Sequence, residues 1–396
     1  MSVSTFGDVQ ILWKSDGSIK EVKYQSQPLL DSVTQRLNPI QLHQNGSVTL
    51  TPELDRLIID LLNTLSSIVL GNDKRKIFFA DAIFGHLYPI FNPPNPKMQS
   101  EFWKAVLKIV WGWEDGHEQV HKGTPYYFMG ESFLALGDVP SAYISFFNAL
   151  EEDKRNFPII PKPLKDAPVY MTTSLVDNPI NTLYPTVVIP LRAYLQKFIT
   201  NYNSSTASAM TLPQVDKKLL QDVNKEDIKR FFVANFHEIY HLSSLNATRL
   251  INNDYSKLKI IDTLFNLGLI IDQLLEKKFL TGAQKNSKNM ANAIYNLALN
   301  LGWTTVTVDK NPSNMLDKIN PDPRKGSPDQ ILPALLNGTA TYNGKRMDVK
   351  MSSAILAHHL RNYGGHHLEG NNIFISRYPE VLNMMMNAFF LTIESL

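Results

Sequence analysis

The chain of 396 residues predicts an all-α fold with a small β-hairpin near its N-terminus. Apolar side chains recur at helical spacing along most of its length, whereas a persuasive strand pattern occurs only around residues 8–25. Prolines cluster in residues 157–185, which predicts a linker or domain boundary between two helical regions. At roughly 100–200 residues per domain, this length suggests two or three domains.

Residues 1–50 are predicted to form an N-terminal segment with one hairpin. Its turn is Asp16-Gly17, which weakly alternating apolar side chains flank on both sides. The first helix is expected to begin after Thr51, whose hydroxyl can cap it, with Pro52 in the first turn. Helices of this region are expected over residues 51–71, 76–90 and 98–113.

Residues 123–156 combine small and aromatic side chains at spacings typical of two packed helices. Gly130 and Ala142 would let the helices approach closely, and Gly137-Asp138 would form the turn. The other agreeing positions are Tyr126, Met129, Phe133, Phe146 and Ala149. The pattern resembles a tetratricopeptide repeat of about 34 residues, although Lys154 replaces its closing proline. The resemblance implies a repeat-like domain over residues 51–156 that could bind a protein partner. A plain helical hairpin in a bundle is the alternative.

Residues 186–396 predict a C-terminal helical bundle. Helices are expected over residues 186–201, 226–250, 256–280, 287–301, 351–360 and 378–393. Residues 258–280 are apolar on nearly every side, as in the central helix of a bundle. Residues 303–348 contain several prolines together with Asn, Asp and Gly, and are expected to form a long loop.

Composition narrows the function classes. The net charge of +2 gives no global basic field, so any RNA contact must be a local patch. The absence of cysteine excludes disulfides, thiolate catalysis and cysteine-ligated metal sites. We expect a cytoplasmic microbial protein, because no secretory signal or membrane-spanning apolar run is evident.

Polar side chains interrupt the apolar helical sequence at residues 360–367. Arg361 carries a permanent positive charge, Asn362 an amide, and His366 an imidazole that titrates near neutral pH. Cleavage of a phosphodiester needs a cation that binds phosphate and a group that transfers protons. Asn362 and His366 lie one helical turn apart, whereas Arg361 faces elsewhere unless the following Gly-Gly pair ends the helix.

The order Arg361-Asn362-x-x-x-His366 resembles the Arg-x(4–6)-His signature of HEPN ribonucleases, helical bundles of microbial defence and toxin systems. The resemblance implies an HEPN-type bundle over residues 186–396 and metal-independent endoribonuclease activity without a cofactor. Arg361 would hold the scissile phosphate, His366 would transfer protons, and Asn362 would orient His366 or a phosphate oxygen. Two alternatives stay open. In the first, the Gly-Gly pair simply ends the helix, and Arg361 and His366 are solvated surface residues. In the second, the bundle is a non-catalytic binding scaffold.

Four side chains outside this triad are predicted to bind the RNA substrate: His359, His367, Lys345 and Arg346. A homodimer is also predicted, because the resembling family places two motifs face to face across a two-fold interface. The final helix, residues 378–393, supports this prediction with more apolar residues than one bundle face needs.

A competing pattern occurs at His237-Glu238-x-x-His241. On a helix both histidines share one face and could bind zinc, with Glu238 polarising a water as in metallopeptidases. A third ligand is required, and none follows at a suitable spacing. The segment is equally typical of an amphipathic bundle helix, so we predict no metal site. A further possibility places His237 or Glu238 beside the ribonuclease site.

Overall fold

The computed structural model describes residues 2–6, 9–13, 15, 19–24, 40–45, 48–68, 84, 95–117, 119–156, 164–247, 254–280, 289–364 and 372–396. The fold is all-α with a few short antiparallel strands, which confirms the predicted class. The chain divides into two compact units. The first comprises Met1–Thr173 and Asn181–Leu183, and the second comprises Ser174–Ile180 and Tyr184–Leu396.

The first unit begins with two small antiparallel sheets. The predicted hairpin pairs Val9–Trp13 with Ile19–Tyr24, with Val9 opposite Tyr24. Ser2–Phe6 adds a third strand beside Val9–Trp13, and the sequence pattern did not predict it. A second unpredicted pair joins Ile40–Leu42 to Val48–Leu50. These strands are named β1 (Ser2–Phe6), β2 (Val9–Trp13), β3 (Ile19–Tyr24), β4 (Ile40–Leu42) and β5 (Val48–Leu50).

Helices α1 (Pro52–Ile68) and α2 (Pro96–Glu114) correspond to two of the three helices predicted for residues 51–113. Of the third, predicted over residues 76–90, only Phe84 is among the described residues. The Thr51 carbonyl accepts a bond from Asp55 N at 2.9 Å, but its hydroxyl has no partner within the described chain. The expected Thr51 side-chain cap is therefore wrong, and backbone bonds alone start α1.

Helices α3 (Gly123–Ala135) and α4 (Val139–Asn156) form the hairpin expected over residues 123–156. A Cβ atom at Gly130 would lie 2.5 Å from Cε1 of Phe146, so only glycine permits this approach. Gly137 makes the turn with a φ of +75°, a conformation that glycine adopts without strain. Both the repeat and the plain hairpin interpretations predict this pair.

The described part of the proline-rich stretch is folded rather than extended. It contains a short 3₁₀ turn, Leu164–Asp166, and helix α5 (Pro168–Thr173), whose Val169 and Met171 are buried. All three changes from one compact unit to the other fall between residues 157 and 185. Residues 157–163 lie outside the described part of the chain.

The second unit is a bundle of long helices with shorter ones between them. Each helix predicted within residues 186–396 corresponds to one of these. They are α6 (Ile189–Thr206), α7 (Leu212–Val215), α8 (Glu226–Ala247), α9 (Asp254–Phe279), α10 (Met290–Asn300), α11 (Pro312–Asp317), α12 (Pro328–Leu336), α13 (Val349–Gly364), α14 (Asn372–Ser376) and α15 (Tyr378–Ser395). No described helix is both long and apolar enough to cross a membrane.

Helix α15 lies in the core of the second unit. Phe389 stacks on Phe232 with ring centroids 4.5 Å apart, and Glu394 accepts a bond from the Tyr202 hydroxyl at 2.7 Å. The apolar residues that suggested a dimer surface are all between 0% and 3% exposed in a single chain: Tyr378, Val381, Leu382, Met385, Met386, Phe389, Phe390 and Ile393. The inference that they exceed the needs of one chain is wrong.

Residues 303–348 were expected to form a long loop, and this expectation is wrong. Pro312 and Pro328 start helices α11 and α12, because proline suits the first helical turn. Three short strands, β6 (Ile319–Asn320), β7 (Thr341–Tyr342) and β8 (Lys345–Arg346), form an antiparallel sheet.

A buried aspartate holds this segment together. Asp309 is 0% exposed, accepts a bond from Thr304 Oγ1 at 2.7 Å and lies 2.7 Å from Lys318 Nζ. The Tyr342 hydroxyl also donates to Asp309. Prolines exclude a long regular helix from this segment, and the contacts of Asp309 connect its parts instead.

Candidate functional site

The candidate site lies in the last turn of α13. Arg361 and Asn362 are consecutive there and both are partly exposed, with 38% of the Arg361 side chain reached by solvent. His366 and His367 lie outside the described residues, so the structure describes the predicted phosphate-binding pair without the predicted proton-transfer residue.

The Arg361 guanidinium pairs with a buried carboxylate on α9. Its Nε atom donates to Asp272 Oδ2 at 3.1 Å, and the Asp272 side chain is 2% exposed. The two helices come close one turn earlier, where a Cβ atom at Gly268 would lie 3.3 Å from Cβ of Arg361. The pair therefore fixes the Nε edge of the guanidinium against α9.

Asp272 occupies an unfavourable place for a charge. Burial raises its pKa to about 6, although the positive charge of Arg361 opposes this shift, and Glu276 adds to it. Its Oδ1 atom is buried without a hydrogen-bond partner among the described residues. A buried carboxylate with one unsatisfied oxygen costs stability, and such groups are common at functional sites.

A second buried group holds Asn362. The Asn362 amide Nδ2 donates to His358 Nε2 at 3.1 Å, and its Oδ1 lies 3.4 Å from Arg361 Nη1. Burial lowers the pKa of His358 to about 4, so this ring is neutral at pH 7 and can accept the bond. The Asn362 oxygen therefore faces Arg361. Buried Asp272 holds Arg361 and buried His358 holds Asn362.

The predicted substrate-binding residue His359 faces the interior. It is 4% exposed, and its Nδ1 atom lies 2.9 Å from the carbonyl oxygen of Pro323. In this arrangement His359 attaches α13 to residues 322–324, so it is unsuited to contact a substrate. Asp322 of that segment pairs with Arg324 at 2.9 Å.

Lys345 and Arg346, the other predicted substrate-binding residues, are exposed on strand β8. Arg346 donates through Nε to the carbonyl oxygen of Gly338. Within the described residues, no hydrogen bond or ion pair connects either side chain to Arg361 or Asn362. The described residues therefore show no contact that would place Lys345 or Arg346 in the site.

The competing histidine pair lies on α8. His237, Glu238 and His241 are all partly exposed there, and burial, together with the charge of His241, lowers the pKa of His237 to about 4. In the described part of the chain, no three His, Asp or Glu side chains come together as metal ligands would. Phe232, Ile239 and Leu242 pack into the core, as the amphipathic-helix interpretation predicts, although Phe231 of the same helix is 40% exposed.

Asp272 and His358 are the site residues that sequence reasoning did not assign. A signal for Asp272 existed, because a carboxylate interrupts the apolar run Leu-Ile-Ile-Asp-Gln-Leu-Leu of a central helix. His358 was visible only as one of several neighbouring histidines. Pairing either residue with the motif requires knowledge of which helices are adjacent.

Comparison with known protein families, curated proteins and solved structures finds no match to this chain. The HEPN and tetratricopeptide resemblances therefore rest on the residues quoted for them.

Proposed function

We propose that this chain is a metal-independent endoribonuclease that cleaves RNA through the ribose 2′-hydroxyl. The observation that carries the proposal is the pair between half-exposed Arg361 and buried Asp272. It holds a cation at the surface in one orientation at a cost in stability, which an ordinary solvated arginine would not require.

Arg361 would bind the scissile phosphate through its Nη groups. Asp272 occupies Nε, and within the described residues the only hydrogen bond from the Nη atoms is the long contact with Asn362 at 3.4 Å. A fixed guanidinium loses little side-chain entropy when it binds phosphate oxygens, and its charge stabilises the additional negative charge of the transition state.

His366 would transfer the protons in this proposal. The 2′-oxygen attacks phosphorus, its proton passes to a base, and the bond from phosphorus to the 5′-oxygen breaks. The leaving 5′-oxygen takes up a proton, and the other product ends in a 2′,3′-cyclic phosphate. Asn362, oriented by His358, would bind a phosphate oxygen or position His366.

The resemblance to HEPN ribonucleases supports placing this activity in a microbial defence or toxin system in the cytoplasm, with RNA as the partner. A homodimer remains part of the proposal for one reason. Each chain supplies a single motif histidine, whereas the reaction moves two protons. The apolar residues of α15 give no support to a dimer, because they are buried within a single chain. A second copy would have to bind through another surface.

The direct test is cleavage of a single-stranded RNA in EDTA. The wild-type protein should cleave it and leave a 2′,3′-cyclic phosphate, and an RNA with 2′-deoxyribose at every position should stay intact. His366→Ala should lose about 10²–10⁴-fold in rate, because a proton-transfer group is removed. His43→Ala, which changes an exposed histidine on another part of the chain, is the matched control.

Arg361→Ala needs a background in which folding is secure, since it leaves Asp272 buried and unpaired. We would therefore compare Arg361→Ala/Asp272→Asn with Asp272→Asn alone. Arg155→Ala is the control, because Arg155 is similarly exposed at 39% and also pairs with a carboxylate, Glu152, at 2.6 Å. Because Asp272→Asn should itself slow cleavage, the double variant is also compared with the wild type, and equal cleavage by these two proteins would remove Arg361 from the site.

The non-catalytic scaffold is the second candidate, and the α3–α4 hairpin favours it because paired helices commonly bind partners. It predicts a folded protein that binds RNA or protein without cleaving RNA under any of these conditions. The zinc peptidase is less favoured, since a third ligand is absent from the described residues. Peptide hydrolysis that EDTA abolishes would revive it.

A further inference from the structure

A groove of about 420 Å³ lies in the second unit between α6, α8 and α15. Its volume is within the range of small-ligand sites. Its buried lining residues, which we call the floor, are Phe198, Tyr378 and Leu382, and its exposed lining residues, which we call the rim, are polar apart from Pro379. Within the described residues, no acidic side chain lines it.

Two tyrosines that line the groove are partly exposed and are held by contacts with neighbouring side chains. Tyr194 and Tyr240 are both partly exposed, and their rings meet edge to face with centroids 5.3 Å apart. The Tyr194 hydroxyl donates to Ser243 Oγ at 2.8 Å, which fixes that ring. Buried Tyr378 and Leu382 contribute to the floor. Rings held in this way can stack on a planar ligand without losing much conformational freedom.

The rim offers hydrogen-bonding groups and one cation. Asn201 Nδ2 donates to Asn383 Oδ1 at 3.3 Å, which leaves the Asn201 oxygen and the Asn383 amino group available to a ligand. Exposed Lys197 has no ion pair in the described part of the chain. An amide oxygen and an amide NH₂ group can hydrogen-bond the edge of a nucleobase, and an aromatic ring can stack on its face. A lysine can pair with the phosphate of the same nucleotide.

We propose that this groove binds one nucleotide, with the base against Tyr194 and Tyr240 and the phosphate at Lys197. The nucleotide could belong to single-stranded RNA or be a free nucleoside monophosphate, since both present the same chemistry. The role of the groove in holding RNA substrate rests on the proposed function, whereas nucleotide binding itself does not.

Calorimetric titration of the full chain with AMP, UMP, adenosine and ribose 5-phosphate tests the site. AMP should bind, adenosine should bind more weakly because it lacks the phosphate, and ribose 5-phosphate should not bind measurably. Tyr240→Leu should weaken AMP binding about tenfold or more, because a base loses its stacking partner. Lys197→Glu should weaken AMP but leave adenosine unchanged, and Lys310→Glu, another exposed lysine, should change neither.

Titrations of the same proteins with a short single-stranded RNA separate the two sources. If RNA is the ligand, the RNA binds more tightly than AMP and Tyr240→Leu weakens both. If free nucleotide is the ligand, AMP binds at least as tightly as the RNA. Ribose 5-phosphate binding that equals AMP binding, or AMP binding that Tyr240→Leu leaves intact, would overturn the groove assignment.

The two proposals can fail separately. AMP binding in a protein that cleaves no RNA would keep the groove and refute the ribonuclease. RNA cleavage with a KM unchanged by Tyr240→Leu, and no AMP binding, would keep the ribonuclease and refute the groove.

Discussion

Replacing Asp272 with asparagine should make this protein more stable and less active. Asparagine keeps the shape of the side chain and mimics the protonated acid, so it removes the buried charge. Because Asp272 orients Arg361 at 3.1 Å, the same change should release the guanidinium and slow RNA cleavage. A residue retained only for structure would not give a gain in stability together with a loss of activity.

The size of the gain follows from the pKa. Burial raises the pKa of Asp272 from 3.8 to about 6, so the folded protein holds this proton more tightly than the unfolded chain. The free energy of unfolding of the wild type must then fall as pH rises from about 4 to 6. At pH 8 the shift corresponds to about 3 kcal/mol, and at pH 4.5 to about 1 kcal/mol. Asp272→Asn should exceed the wild type by these amounts.

Urea unfolding of both proteins at pH 8 and pH 4.5 measures these differences. Asp309→Asn is the matched control, because Asp309 is also buried but its pKa is lowered. Its burial is outweighed by hydrogen bonds from Lys318, Tyr342 and Thr304. Asp309 therefore stabilises the fold above its unfolded pKa, and its replacement should destabilise the protein at pH 8, less so as pH falls.

A lower stability of Asp272→Asn than of the wild type at pH 8 would refute this prediction, since the ion pair would then outweigh the cost of burial. A stability difference that does not change between pH 4.5 and pH 8 would also refute it. That result would mean that the Asp272 carboxyl titrates normally in the folded protein.

Two further predictions concern electrostatics and packing. Arg361→Ala should destabilise the protein at pH 8 but only slightly at pH 5, because the Arg361 charge lowers the pKa of Asp272 and stabilises its ionised form. Adding Asp272→Asn should restore the lost stability, and urea unfolding at both pH values measures both effects. Gly130→Ala should cost about 1–3 kcal/mol because its Cβ meets the Phe146 ring at 2.5 Å. Gly112→Ala, a helical position with nothing within 4 Å, should instead gain up to about 1 kcal/mol. Thermal melts of the two alanine variants should shift in opposite directions, and a shared direction would contradict the packing at Gly130.

Helices were predictable because their signal is local. The apolar stripes placed the four long helices described over residues 186–301, although not the short α7, and Gly130 and Phe146 already indicated a close hairpin. Strand β1 was missed because its pairing with β2, and not its own pattern, decides its conformation. Residues 303–348 were predicted as loop because prolines exclude long helices, while the bonds that Asp309 makes to Thr304 and Tyr342 could not be read from spacing.

The candidate site was predictable only in its surface residues. Arg361 and Asn362 stand next to each other in the sequence, so their chemistry was visible. Asp272 lies on another helix, 89 residues away along the chain, and its pairing with Arg361 depends on how α9 crosses α13 at Gly268. The same dependence on packing hid the burial of His359 and of the apolar residues of α15.

The most direct test of the central claim is an RNA cleavage time course in EDTA with the wild type and His366→Ala, followed by analysis of the product ends. The account predicts cleavage by the wild type to 2′,3′-cyclic phosphate ends, and a loss of about 10²–10⁴-fold in rate for the variant. Equal cleavage by both proteins, or no cleavage by either protein at any pH between 6 and 8, would contradict the proposed ribonuclease activity of His366.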